Sequence, residues 1–348
     1  MSSKNTTKTD KGGMLLINIA AFIIIVAGMK LSSSILEPFL LALFVAVIFI
    51  SPFFSLRRKG LPKSLALLII ILIIFGIGSL FGTLIGTSIK DFSDNLPIYQ
   101  ENLMGKTSAI LKWLSSVGIA VPDSETIQGY FDPHAPLRII GMILGALGTL
   151  LSQTFLIIIT SIFILLEAAS FTHKLKRASH NPDQSVSNFE HIHNNIKQYM
   201  SLKTLVSLGT GLAVTIWLLI LGVDYPLLWG MLAFLLNYIP NIGSIIAAIP
   251  PVLMAIIQFG LFRALLVAGG YLVVNFVMGN ILEPRIMGRG LGLSTLVVFL
   301  SLIFWGWVLG PIGMLLSVPL TMVIKIALDS HEETRGIGIL LGSNERQP

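Results

Sequence analysis

The chain has 348 residues, 54% of them hydrophobic and only 11% charged, with a net charge of +6. Soluble domains carry about 25% charged residues, so this composition excludes an ordinary soluble enzyme and marks an all-α polytopic membrane protein whose solvent is lipid. The absence of cysteine excludes disulfides, thiol catalysis and cysteine-based metal sites. The positive charge sits beside apolar runs, which is the pattern of membrane-span flanks and not of a nucleic-acid surface.

In chain order, residues 1–13 are polar and read as a disordered cytoplasmic tail. Lys4, Lys8 and Lys11 then precede an apolar run from Met14 to Met29, but Lys30 and Leu31-Ser-Ser-Ser stand where a cleavage site would be, so the run reads as an uncleaved span. Spans at about 14–31, 35–55 and 62–88 make three transmembrane helices within 14–88. Glu37-Pro38 opens the second of them, with proline in the first turns where a helix tolerates it. Residues 89–137 form a polar extracytoplasmic insert. Within it, Pro97 to Val117 has amphipathic helical spacing (Leu103, Ile110, Leu111, Leu114), which predicts short helices lying on the membrane surface. A fourth span covers 138–170, a cytoplasmic polar segment 171–203, and a polar cytoplasmic tail 329–348.

Lysine and arginine placement sets the orientation. With the N-terminus inside, the tail, the Arg57–Lys63 turn and the 171–203 segment together hold twelve Lys/Arg, against four (Lys90, Lys106, Lys112, Arg138) on the 89–137 insert and its edge. Both termini are then cytoplasmic.

Residues 204–328 read as a repeated transport unit, 204–259 and 264–326. Lys203-Thr-Leu-Val-Ser-Leu-Gly209 is matched by Arg263-Ala-Leu-Leu-Val-Ala-Gly269, and each copy continues into an apolar run broken at a Gly/Pro knot: Pro240-Asn-Ile-Gly243, then Gly310-Pro311-Ile-Gly313. The 225–259 run would be roughly 52 Å as one straight helix, against a hydrocarbon core of about 30 Å. Either each run is a broken crossing, or each is a re-entrant hairpin. Hairpins would make the copies an inverted repeat, and they suit knots near mid-segment, where non-helical backbone needs protein or water around it.

Broken segments at matching places in two halves point to a substrate site. Asn237, Tyr238, Asn241 and Ser244 put two amides, a phenol and a hydroxyl beside Pro240 and Gly243. Pro240 frees a carbonyl and Gly243 allows close approach. The alternative is a satisfied kink in which the amides cap two half-helices. Asn280 and Glu283-Pro284-Arg285 place opposite charges two residues apart, either as an intramembrane ion pair or gate, or as an interfacial loop with topogenic arginines. Trp305, Trp307, Gly310, Pro311 and Gly313 form the second knot, its tryptophans serving as interfacial anchors or as a pocket lining. Gly78, Gly82 and Gly86, and Gly141 and Gly145, have the small-residue spacing of close helix packing, within a protomer or between protomers, and a homo-oligomer is expected. No His-Glu-x-x-His, Gly-x-Ser-x-Gly or Walker phosphate loop is present, so no catalytic residue, cofactor or metal is assigned.

The Asn-Tyr-Ile-Pro-Asn-Ile-Gly segment at 237–243, the Asn280-x-x-Glu-Pro-x-x-x-Gly288 segment and the Trp-Gly-x-x-Gly-Pro-x-Gly segment leading to Pro319 together resemble the autoinducer-2 exporter (PerM-like) family of bacterial inner-membrane transporters. Pro38-Phe-Leu-Leu-Ala42 with Pro52 is similar to it as well. The resemblance covers residues 14–328. It implies about eight hydrophobic segments and secondary, gradient-driven transport of a small polar solute, a quorum-sensing signal among the candidates. A sodium/proton antiporter of the same family and a non-transporting membrane scaffold are the alternatives. The partners expected are the lipid bilayer, the solute and a coupling proton or sodium ion.

Overall fold

The computed structural model describes residues 11–116, 134–178, 182–287, 292–330, 332 and 334–342. The expected tail at 1–10, the second part of the insert at 117–133 and Gly288 lie outside them. Every regular element among the described residues is helical: α1 (Lys11–Leu31), α2 (Ser33–Arg58), α3 (Lys63–Ser116), α4 (Ala135–Ala178), α5 (Pro182–Leu221), α6 (Pro226–Leu236), α7 (Ile242–Phe259), α8 (Leu261–Asn275), a π-helical stretch (Phe276–Leu282) running into α9 (Glu283–Met287), α10 (Thr295–Asp329) and α11 (Arg335–Leu341). Seven helices are long and apolar enough to cross a membrane, and Leu16–Leu31 and Pro226–Leu236 are shorter apolar stretches.

The polar boundaries read from the sequence do not end helices. The 89–137 insert is expected to form short surface helices, yet its described first part, 89–116, continues α3, whose 54 residues amount to roughly 81 Å at 1.5 Å per residue. Pro97 lies inside this helix, where it removes a single backbone donor. Phe92, Tyr99 and Leu103 are buried in one cluster with Leu137, Ile140 and Leu144 of α4 and residues of α6 and α7, and this burial outweighs the proline. Likewise α4 and α5 run on into the 171–203 segment. The C-terminal tail carries α11, and Ser294 N–H, just before α10, donates to Leu341 O at 3.1 Å.

The core is layered by small residues. Ser161 of α4, fully buried, donates to Ala42 O of α2 at 3.0 Å. Gly211 of α5 faces Gly230 of α6 so closely that an added Cβ on Gly230 would collide with Thr215 Oγ1 and Gly211 O. Backbones approach this way where small residues replace large ones.

The 225–259 run folds back on itself. Asp224 N–H donates to the Gln258 side chain at 3.2 Å, although 34 residues of straight helix would separate them by roughly 51 Å. Gly222 (φ +71°) ends α5, with Val223 N–H donating to Leu218 O at 3.1 Å, a glycine-based helix stop. Tyr225 adopts a left-handed φ of +59° and Pro226 opens α6. In α10 the helix breaks at Leu309–Gly310 (Gly310 φ +58°, ψ −150°). Trp305 Nε1–H donates to Thr321 Oγ1 at 3.1 Å, whereas a straight helix would hold these residues roughly 24 Å apart. Both apolar runs are therefore folded helix pairs, α6–α7 and the two halves of α10.

Candidate functional site

Helix α5 carries a polar stripe, Lys203, Thr204, Ser207 and Thr210, at the three- and four-residue spacing of one helix face. Lys203, Ser207 and Thr210 are buried. The turn between α6 and α7 lands on this stripe. Asn237 Nδ2–H donates to Ser207 Oγ at 2.9 Å. Tyr238 O–H donates to Thr204 Oγ1 at 2.7 Å, and that hydroxyl in turn donates to Met200 O at 2.6 Å. Tyr238 is buried between Phe44 of α2 and Phe234 of α6, both edge-on, with ring centroids 5.1 and 5.8 Å away.

Glu283 completes the cluster. Helix α8 runs antiparallel to α5, from Arg263 Nη1 on Leu221 O and Trp217 Nε1 on Leu266 O toward Lys203. The π-helical stretch inserts an extra residue per turn before Glu283, a feature frequent at functional sites. Glu283 Oε1 accepts from Lys203 Nζ at 2.7 Å, with the two side chains 20% and 6% exposed. The pair is formed across 80 residues of chain. Arg285, the sequence neighbour that suggested an ion pair, is exposed, as are Asn280 and Pro284.

The remaining residues of the first knot shape its backbone. Asn241 is exposed at φ +59°, and its carbonyl accepts from Ser244 Oγ–H at 3.1 Å. Gly243 is buried against Leu236 O and Ile239, leaving no room for a Cβ. Pro240 is half-buried.

The second knot lies in different surroundings. Trp305 is buried with Val308 and Leu309 against Val26 of α1, while Trp307 is 58% exposed under Lys30, whose Nζ stands 3.8 Å from the ring centroid. Pro311 is exposed, and Gly313 is pressed against Trp305 O and Leu309. Glu37 of α2 faces Gly310. The base of this folded pair, Leu293, Val318 and Met322, packs on Tyr199 and Met200 of α5, one turn from Lys203. The structure thus gathers Asn237, Tyr238 and Glu283 around α5, and puts Trp305–Gly313 against α1 and α2. Sequence reasoning missed Lys203, Thr204 and Ser207 as site residues; the signal available was their common helix face inside an apolar run.

Seven helices long and apolar enough to cross a membrane, among the described residues, make a polytopic membrane protein, and the family it matches makes it a transporter, not an enzyme. The family described as AI-2E family transporter matches residues 19–333, and the chain belongs to it. It is 41% identical to the AI-2 transport protein TqsA of Escherichia coli (strain K12), over 97% of this chain and 98% of that protein. It is 40% identical to a putative transport protein of Haemophilus influenzae, over 95% and 96%, and 36% identical to the putative transport protein YhhT of Escherichia coli (strain K12), over 97% of both.

Proposed function

We propose that this protein is a secondary transporter of the bacterial inner membrane that moves a small polar solute through the cluster where the α6–α7 turn meets α5 and Glu283. The carrying observation is the Lys203–Glu283 pair, its lysine buried and its carboxylate partly so, with Asn237–Ser207 and Tyr238–Thr204 beside it. Removing two charges from water costs several kcal/mol per ion, in order of magnitude, and apolar replacements often stabilise, so such a pair inside a membrane calls for a functional reason. The amide and hydroxyls hydrogen-bond one another in this state, and a hydroxyl-bearing solute would exchange partners with them at little desolvation cost. Autoinducer-2 is the first solute to try, given the relative described as its transport protein.

In this reading both folded pairs are re-entrant and the two copies are inverted. Arg263 hydrogen-bonds at Leu221 while Lys203 lies 18 residues earlier on α5, roughly 27 Å along the helix, which supports copies that begin on opposite sides of the membrane. Both termini are cytoplasmic, from the distribution of basic residues. Gly86, Gly141 and Gly145 have nothing within 4 Å of an added Cβ, which suits a neighbouring protomer in a homo-oligomer.

The Lys203–Glu283 pair also supports a second reading, cation/proton antiport, in which a proton or sodium ion on Glu283 releases Lys203. Proteoliposomes separate the readings. Solute counterflow above empty liposomes, lost in Asn237→Ala, supports the first, and sodium-driven proton movement lost in Glu283→Gln supports the second. Neither flux, together with a stable membrane partner on pull-down, would overturn both in favour of a scaffold.

A further inference from the structure

A cavity of about 710 Å³, open along one side, runs between α2, α4, the N-terminal part of α5 and the second half of α10. Its walls are apolar, with Leu43 and Val47 of α2, Ala168 of α4 and Leu316 and Leu320 of α10 among them. Its polar lining is confined to Glu167, Glu190 and Asn194. Protein interiors hold few voids larger than a water molecule, and water needs two to four polar partners, which the walls away from Glu167, Glu190 and Asn194 do not offer. In a chain bathed in lipid, the filler at hand is hydrocarbon, and the volume falls within the roughly 300–1,000 Å³ of small-ligand sites.

The mouth specifies the rest of the occupant. Glu190 is exposed. Glu167 Oε1 accepts from Lys174 Nζ at 2.5 Å, with both side chains more than half exposed, and such a pair is weak enough to exchange partners. Two carboxylates therefore line an otherwise apolar slot, and a lysine ammonium is paired to one of them. We propose that this slot is a binding site for one zwitterionic phospholipid of the phosphatidylethanolamine class, with an acyl chain inside, its ammonium at Glu190 and its phosphate at Lys174. The lipid would lie in the leaflet on the side of the Arg57–Lys63 turn, where α2 ends. Two contacts connect it to the rest of the protein. The second half of α10 is one wall of the slot, and Phe44, another wall residue, packs edge-on against Tyr238. An acyl chain would thus brace the base of the folded α10 pair and back the ring that shapes the polar cluster. This holds whether or not the protein carries a solute.

The test is native mass spectrometry of the full-length protein in detergent, titrated with dioleoyl-phosphatidylethanolamine or dioleoyl-phosphatidylglycerol. The wild type is expected to retain one phosphatidylethanolamine per chain under activation that strips the second lipid. Ala168→Trp and, from the opposite wall, Leu320→Phe are expected to reduce that retention about tenfold with an unchanged melting temperature. Glu190→Lys, at the exposed mouth, is expected to shift the preference at least fivefold toward phosphatidylglycerol. Equal retention of both lipids by the wild type and both slot-filling variants would overturn the proposal. Displacement of the bound lipid by autoinducer-2 would also overturn it, and would make the slot a solute vestibule.

Discussion

Lys203 and Glu283 neutralise each other at 2.7 Å where neither is well solvated. Removing one partner leaves an uncompensated charge, a loss of about 3–5 kcal/mol, while replacing both with apolar residues is often neutral or better. Lys203→Met is therefore expected to lower the melting temperature of the purified protein more than Lys203→Met/Glu283→Leu does, while both variants lose solute flux. A double variant as unstable as the single one would argue against direct pairing. The two amides of the first knot also separate. Asn237 reaches Ser207 and Asn241 points outward, so Asn237→Ala is expected to cut flux at least tenfold. Asn241→Gly, which keeps the left-handed backbone without strain, is expected to stay within twofold of wild type. Glu283 was legible in the sequence as the one carboxylate of a stretch uncharged apart from Arg285. Its partner was not, because Lys203 opens an apolar run and reads as a span flank, and nothing local signals a contact 80 residues away. Arg285, two residues off, was the visible decoy, and it is exposed.

At the scale of elements, the open end of the α6–α7 pair is held by the far part of α3. Tyr99 O–H donates to Asp224 Oδ2 at 2.8 Å and lies 3.0 Å from the Tyr225 hydroxyl. Lys106 Nζ donates to Ile256 O and Ile257 O at 2.9 and 2.6 Å, at the C-terminal end of α7 where the helix dipole favours a cation. Lys106→Met with Tyr99→Phe is expected to speed amide exchange at 224–230 and 256–260 at least tenfold, and unchanged exchange would mean that α3 does not fasten this end. Helix packing between α5 and α6 gives a second expectation. Gly230→Val drives a side chain into Thr215 and the Gly211 carbonyl, and overpacking of this kind costs about 1–3 kcal/mol, read as a lower melting temperature. The helical spacing of 97–117 was legible. Its continuity with α3 was not, because Pro97 looks like a stop until Phe92, Tyr99 and Leu103 are buried in one cluster with residues of α4. That 225–259 and 294–326 are not single straight helices was foreshadowed by length against bilayer thickness and by the position of the knots, which left a broken crossing and a hairpin both open. What closes each pair, Gln258 on Asp224 and Trp305 on Thr321, is a tertiary contact that no local pattern encodes.

For the whole molecule, composition alone fixed lipid as the solvent and the motif order pointed to the family. The two knots nonetheless lie in unlike surroundings. The first meets α5 at Thr204 and Ser207, within a turn of Lys203, and the second lies against α1 and α2, so the matched sequences end in unlike environments. A buried polar cluster between a folded segment and a straight helix works as a transport site only if it opens to each side in turn. The chain has no cysteine, so Ser207→Cys, nearly isosteric and fully buried here, can be probed with a membrane-impermeant thiol reagent in sealed vesicles of each orientation. Alternating access predicts labelling from both sides, slowed by the transported solute. Labelling from one side only, at a rate the solute does not change, would contradict the placement of the site.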